Sequence, residues 1–373
     1  MGDRTSMPNA HSGVDRRSAM ESERESVEIR SRLEPIAAEW DALADRLDAS
    51  PWDRPDWISA WQASFGHGTP YVLALRRGDH LAGVLALESI HDALRAPTNW
   101  HTPSFGGVFA DADAAATLVE VALVNTQRHL EVSFVESGSP LVKAIDGLGR
   151  RPDLRRSSRV IERSPYLSLP AAAEALEMTL PAKRRSGLRR IRRRLADLGD
   201  VSVCVSQGQD RLDELLAEGF AVERSGWKGK RGTAISSQES TLRFYAEIAH
   251  RFARRGWLRL AFLRLEGRVI AFDLAVERGG VHYLLKTGYL ETLRSHAPGV
   301  ALRHEMILRC IANGCTSYEF LGNDVAWKRE WTQTVREYLQ LHLFQNTVRG
   351  GVDWLVVARA LPVARRVRDR IAR

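Results

Sequence analysis

The stretch SHAPGVALRHEMI, Ser295–Ile307, sets a Pro-Gly pair at the mouth of an amphipathic pattern, and its reading decides the fold. Val300, Leu302, Met306, Ile307 and Cys310 recur at helical spacing and predict a helix over Gly299–Ile311. The first turn of a helix leaves backbone N–H groups without intrahelical partners, and the aligned peptide dipoles make that end partly positive. Glycine removes the Cβ that would keep a ligand off the main chain, Pro298 costs no donor, and no acid falls between Arg294 and Arg303. The same Pro-Gly pair also serves as plain punctuation before a helix. Two readings therefore stand: a pyrophosphate cradle at a strand-loop-helix turn, or a turn and a helix start.

Upstream, WLRLAFLRLEG, RVIAFDLAVERG and GVHYLLKTGYL predict three strands, preceded by helices over Gln209–Arg254 with a Gly-rich break at SGWKGKRGT. Downstream, TSYEFLG predicts a strand, Trp327–Trp331 a short helix, and EYLQLHLF a last strand. The first half has a similar order. A strand and a helix (Ile36, Trp40, Leu43 and Leu47) precede a hairpin at Gly78-Asp79; a helix over Ala112–His129 and a strand over Leu130–Val135 follow. Two related α/β units result, each a mixed sheet flanked by helices. The divisions expected are a disordered leader over 1–26, a first half over 27–155, a second half over 156–346 and a basic amphipathic C-terminal helix over 347–373. Arg150–Arg163 reads as a polar connector between the halves.

Lys plus Arg exceed Asp plus Glu by 54 to 46, a net charge of +8, which favours anionic partners without choosing among them. KRRSGLRRIRRRL, Lys183–Leu195, carries eight cations and no acid, with Leu188, Ile191 and Leu195 at helical spacing. It is either a solvated face or a grip for phosphates, of a cofactor or of RNA. In the tail, Leu355, Val356, Val363, Val367 and Ile371 lie opposite Arg359, Arg365, Arg366, Arg368 and Arg370. This pattern docks on the protein's own body or rests on an anionic membrane surface. No stretch has the length and apolarity of a membrane span, and the leader lacks a signal-peptide core, so a cytoplasmic location is expected, with peripheral membrane contact through the tail as the variant. Three cysteines without a CxxC pair, and eleven scattered histidines without HExxH, give no sequence-local metal spacing; no metal is expected. His296 and His304 read as local hydrogen-bonding or solvated residues rather than metal ligands.

Several pieces occur in fixed order: the arginine-rich RRSGLRRIRRRLADLG, YLLKTGY, HAPGVALRHEMI, ANGCTSYEFLGND and WKREW. Over roughly Lys183–Phe344 this run resembles the GNAT acyltransferase superfamily, in the group of cellulose-biosynthesis-type acetyltransferases, and the two-unit build is similar to that of Fem-type aminoacyl transferases. The resemblance implies tandem GNAT-like units, each with a mostly antiparallel mixed sheet. It implies acetyl-CoA or another acyl-CoA as donor and a small-molecule primary amine as acceptor, in amino-sugar, envelope or exopolysaccharide chemistry. The Fem-type variant implies an aminoacyl-tRNA donor gripped by Lys183–Leu195. A catalytically silent, membrane-tethered scaffold is the non-enzymatic alternative.

Carried onto this chain, the resemblance implies that Ala297, Pro298, Gly299, Val300 and Ala301 hold the pyrophosphate, in place of the commoner Gln/Arg-x-x-Gly-x-Gly/Ala loop. Leu285, Lys286 and Thr287 would lie beside the pantetheine arm. Amide formation from a thioester requires a proton acceptor and donors for an oxyanion, but no covalent enzyme intermediate. Asp324, just after a strand at a sheet end, is the first candidate base, with a plain N-cap as its other reading. Asp273, among apolar neighbours in VIAFDLAV, is the second; its other reading is a pair with Arg259 or Arg264. Glu319 is the third. Tyr289 is the candidate acid. Lys286 and Lys328 would orient an anionic acceptor or balance cofactor charge, and His101 in NWHTPSFGG would reach the acceptor cleft from the first half.

Overall fold

The computed structural model describes residues 25–126, 128–226, 232 and 234–357. Most of the expected leader, the Gly-rich break and the tail beyond Val357 lie outside the described residues. Thirteen strands are present among the described residues: β1 Glu25–Arg30, β2 Thr69–Arg77, β3 His80–Ile90, β4 Ala93–Arg95, β5 Val108–Phe109, β6 His129–Glu136, β7 Leu154–Ser168, β8 Val201–Ser206, β9 Leu258–Leu265, β10 Arg268–Arg278, β11 Val281–Tyr289, β12 Ser317–Glu319 and β13 Val335–Gln345. They form one sheet in the order β1-β2-β3-β4-β6-β13-β7-β12-β11-β10-β9-β8, with β5 beside β3. This is the mixed, helix-flanked α/β architecture expected from the element order.

The hairpins follow local rules. Gly78 has φ +57° at the β2–β3 turn, where the expected Gly-Asp signal lies. In β10 the residues alternate between two cores: Phe272, Leu274 and Val276 pack under the helices Leu212–Ser225 and Glu239–Arg254, whereas Ala271 faces the helices Ala182–Ala196 and Pro298–Ala312. Leu188 and Leu195 anchor the basic helix to that second core and leave Arg189, Arg190, Arg192, Arg193 and Arg194 exposed.

The segment read as a polar connector is a strand instead. β7 runs fifteen residues, pairing with β13 over Leu154–Pro165 and with β12 over Tyr166–Ser168, so it stitches the two half-sheets together. Its N-terminal part has many exposed side chains, which hides the two-residue alternation that betrays a half-buried strand. The last strand, β13, crosses back to pair with β6 of the first half. Among the described residues, no helix is long and apolar enough to cross a membrane.

Candidate active site

A parallel pair normally hydrogen-bonds along its length. β11 and β12 pair for only three residues, Val281–Tyr283 against Ser317–Glu319. Beyond that point β11 continues to Tyr289 on its β10 side, while the other chain turns off at Leu321 and Gly322, both with positive φ, +49° and +64°. The gap between the parted strands is a cavity of about 750 Å³. Its walls are β11 from Leu284 to Tyr289, the Phe320–Asn323 segment, Glu162 on β7, and Trp100 and His101 on a first-half loop. Both halves of the chain therefore contribute.

At one end of the cavity lies the start of the Pro298–Ala312 helix, introduced by Ala297 in the left-handed region (φ +52°, ψ +50°). Ala297, Gly299 and Val300 line the cavity; Pro298 and Ala301 do not. The expected row of free donors is shorter than five residues. Ala297 N–H donates to Arg294 O at 3.1 Å, Val300 N–H to Ala297 O at 3.0 Å and Ala301 N–H to Ala297 O at 3.2 Å, and proline has no N–H. The Gly299 amide has no such partner among the described residues. Its missing Cβ also has a packing reason: a Cβ there would stand 3.3 Å from Cδ1 of Tyr289, whose ring lies against the helix start.

Asp273 does not serve as an unpartnered base. It sits opposite Ala261 on β9 and Thr287 on β11, and the helix crossing that face supplies its partner, Arg303. Arg303 is buried; it binds both carboxylate oxygens of Asp273, and it donates to Tyr318 Oη at 2.7 Å and Thr287 Oγ1 at 2.9 Å. Neither Arg259 nor Arg264 takes that role: they pair with Glu277 and Glu218. Asp324 is likewise engaged. Arg329 grips both of its oxygens at 2.9 Å and holds its carboxyl below the usual range, and Asp324 does not line the cavity. A lowered pKa makes a weaker base. Glu319 is buried against Arg336 at 3.0 Å, away from the cavity wall.

The carboxyl group that faces the cavity with a pKa suited to proton exchange is Glu162, which sequence reasoning missed. Burial pushes it up from 4.5 to about 7, with the Lys328 ammonium pulling the other way. Lys328 is itself buried, and its Nζ donates to Leu321 O and to Asn323 O, fixing the turn that parts the strands. Toward the first half, His101 Nδ1 lies 3.0 Å from Tyr245 Oη, and burial together with the Lys286 charge lowers its pKa to about 3, so the ring is neutral. Lys286 Nζ lies 4.6 Å from the Trp100 ring centre and 4.8 Å from that of Tyr245. His304 is buried beside Trp331, and His296 is partly exposed beside Ser295; neither joins a metal-ligand group among the described residues.

Residues 182–329 match the family model of the acetyltransferase (GNAT) domain. The chain carries a GNAT domain and is a transferase. No curated protein matches at the sequence level. Among solved structures, FemX superposes with a TM-score of 0.57 at 13% identity, covering 89% of this chain and 99% of its own. The C-terminal domain of a putative lysylphosphatidylglycerol synthetase from Agrobacterium fabrum gives 0.56 at 13% identity, with coverage of 88% and 96%. L-PGS from Bacillus licheniformis gives 0.51 at 14%, with 82% and 96%. At these identities the likeness speaks for the fold. It extends over both halves of the chain, well beyond the GNAT match.

Proposed function

We propose that this GNAT transferase moves an acyl group from acyl-CoA, acetyl-CoA in the simplest case, to a primary amine on a small molecule. The observation that carries the reading is the parting of β11 and β12 beside a helix start whose Gly299 amide lacks a partner, within a cavity of about 750 Å³. Past Tyr283 the pairing with β12 stops and Leu284–Tyr289 line the cavity, a length of strand along which the amide-rich pantetheine arm would lie. The Gly299 amide and the positive helix end suit a pyrophosphate oxygen. The donor supplies an activated acyl thioester.

In this reading Glu162 accepts the amine proton. A carboxyl group with a pKa near 7 is balanced between holding and releasing a proton at neutrality. The earlier candidates Asp324 and Asp273 take supporting roles: Asp273 locks Arg303 in place, and Asp324 with Arg329 braces the segment after β12. Lys328 holds the cavity turn, Lys286 bears on the acceptor end together with Trp100, and Tyr289 remains the proton donor proposed for the departing thiolate. The first half closes the acceptor end through Trp100 and His101.

A second reading keeps the fold and changes the donor to an aminoacyl-tRNA. It is favoured by the five exposed arginines of the Ala182–Ala196 helix, for which no acid partner is seen among the described residues, and by the FemX-like fold. Thermal-shift titration with acetyl-CoA, longer acyl-CoAs and CoA tests the first reading, and salt-dependent gel shifts with tRNA test the second. Stabilisation by acyl-CoA without a tRNA shift supports the first. A salt-sensitive tRNA shift without any response to CoA replaces it. The helix Val348–Leu355, the C-terminal helix of the described residues, presents Val348, Val352 and Leu355 to solvent, an apolar stripe consistent with peripheral contact to an anionic membrane.

A further inference from the structure

We propose that the protein binds one zinc-class divalent ion between His129 and Glu131 of β6 and His342 of β13, at a site independent of acyl transfer. Sequence spacing gives no hint of it, because the ligands come from strands far apart in the chain. His129 and Glu131, two residues apart on β6, face the same side of the sheet, and β13 sets His342 directly opposite Glu131. One donor atom from each of the three lies within 4.8 Å of the other two. Two imidazoles and a carboxylate form a donor set for zinc, nickel or cobalt rather than for magnesium or calcium, which prefer oxygen alone.

The independent sign of a ligand is an unsatisfied atom. His342 is 6% exposed, and its buried Nδ1 has no hydrogen-bond partner, a costly state for a ring nitrogen. His129, 3% exposed, is backed by Asp353 from the C-terminal helix, with Nδ1 to Oδ2 at 3.3 Å, and Arg128 fixes Asp353 at 2.6 and 2.9 Å. A carboxylate behind a histidine leaves the other ring nitrogen free to coordinate and fixes its direction. Glu131 accepts from Gln340 Nε2 at 2.7 Å and has Arg95 Nε at 3.3 Å. Arg95 and Arg128 offset the charges of Glu131 and Asp353, so affinity must come from directed lone pairs and not from net negative charge. Glu131 is partly exposed, which gives an ion a way in. A second cluster, Glu277, His282 and Cys310, also has an unsatisfied ring nitrogen, His282 Nε2, but there Glu277 is held by Arg259 at 2.7 Å and by His282 itself at 2.8 Å, and His282 is wholly buried. An ion at the first cluster would fasten β13 and the C-terminal helix to β6.

The test uses the untagged full chain, stripped with chelator, dialysed against zinc chloride and assayed for bound metal by mass spectrometry and for thermal stability. The expected result is one zinc per chain and a raised melting temperature. His342→Gln should weaken binding at least about tenfold, and Asp353→Asn, which removes the carboxylate behind His129, about 10- to 100-fold. Glu131→Gln, at a partly exposed position, reports binding if the histidine variants fold poorly, and it should also lose at least about tenfold. Stoichiometry far below one, or undiminished affinity in Glu131→Gln, overturns the proposal. So does zinc binding that Cys310→Ser abolishes.

Discussion

Replacing Glu162 by glutamine separates its effect on rate from its effect on stability, because burial acts on both in opposite directions. With a pKa of about 7, Glu162 is ionised in about one-tenth of molecules at pH 6 and about nine-tenths at pH 8. A base at that pKa makes kcat/KM rise roughly tenfold between those values, whereas an unshifted carboxyl at 4.5 would be more than about 95% ionised throughout and leave the profile flat. The rise from 4.5 to about 7 corresponds to roughly 3 kcal/mol, and partial solvent access reduces this to roughly 1–3 kcal/mol. The folded state favours the neutral acid, so its contribution to stability is complete below pH 4.5 and is lost as pH rises through 7. Glu162→Gln cannot ionise. It should therefore melt higher than the parent at pH 8, match it near pH 4.5, and lose about 10²- to 10⁴-fold in turnover. Thiol release from acetyl-CoA with a panel of amines, followed across pH 5.5–8.5 alongside melting curves, reads both effects. A flat parental profile, or a variant retaining more than half the activity, would refute Glu162 as the base.

Lys328→Met removes the charge that holds the Glu162 pKa down, so the rising limb of the pH–rate profile should move to higher pH, read in the same assay. Gly299→Asp places an acid and a Cβ where Tyr289 Cδ1 lies 3.3 Å away; isothermal titration should show acyl-CoA affinity falling at least about tenfold, and unchanged affinity would remove the helix start from the donor site. Asp273→Asn strands the buried Arg303 cation and should cost about 3–5 kcal/mol in urea denaturation, while Asp273→Asn combined with Arg303→Met should recover much of it. Recovery would identify the pair as a support for β10, β11 and the helix rather than as reacting groups.

The features legible in the sequence are those encoded within one element. The helix over Pro298–Ala312 follows from its apolar spacing, the β2–β3 hairpin from Gly78-Asp79, and the three long strands β9, β10 and β11 from apolar runs bounded by glycine. Where two elements must meet, local pattern is silent. Asp273 reads as a candidate base among apolar neighbours or as a partner of Arg259 or Arg264, but the strand pattern says nothing about which helix crosses that face, and Arg303 arrives from thirty residues away. Glu162 was passed over for the converse reason: its strand is polar enough to read as a linker, and its burial comes from the cavity walls that β12 and the Lys328 turn build beside it. The same logic accounts for the parting of β11 from β12. Nothing in YLLKTGY forbids further pairing; the pair ends because Leu321 and Gly322 turn left-handed and Lys328 holds two carbonyls of that turn. A lysine that sequence reasoning gave to an anionic acceptor or to cofactor charge thus shapes the opening and, through its charge, limits the rise in the Glu162 pKa that burial causes. The charge and shape of this cavity are properties of pairs of elements, so substitutions that alter one partner should register in the titration of the other.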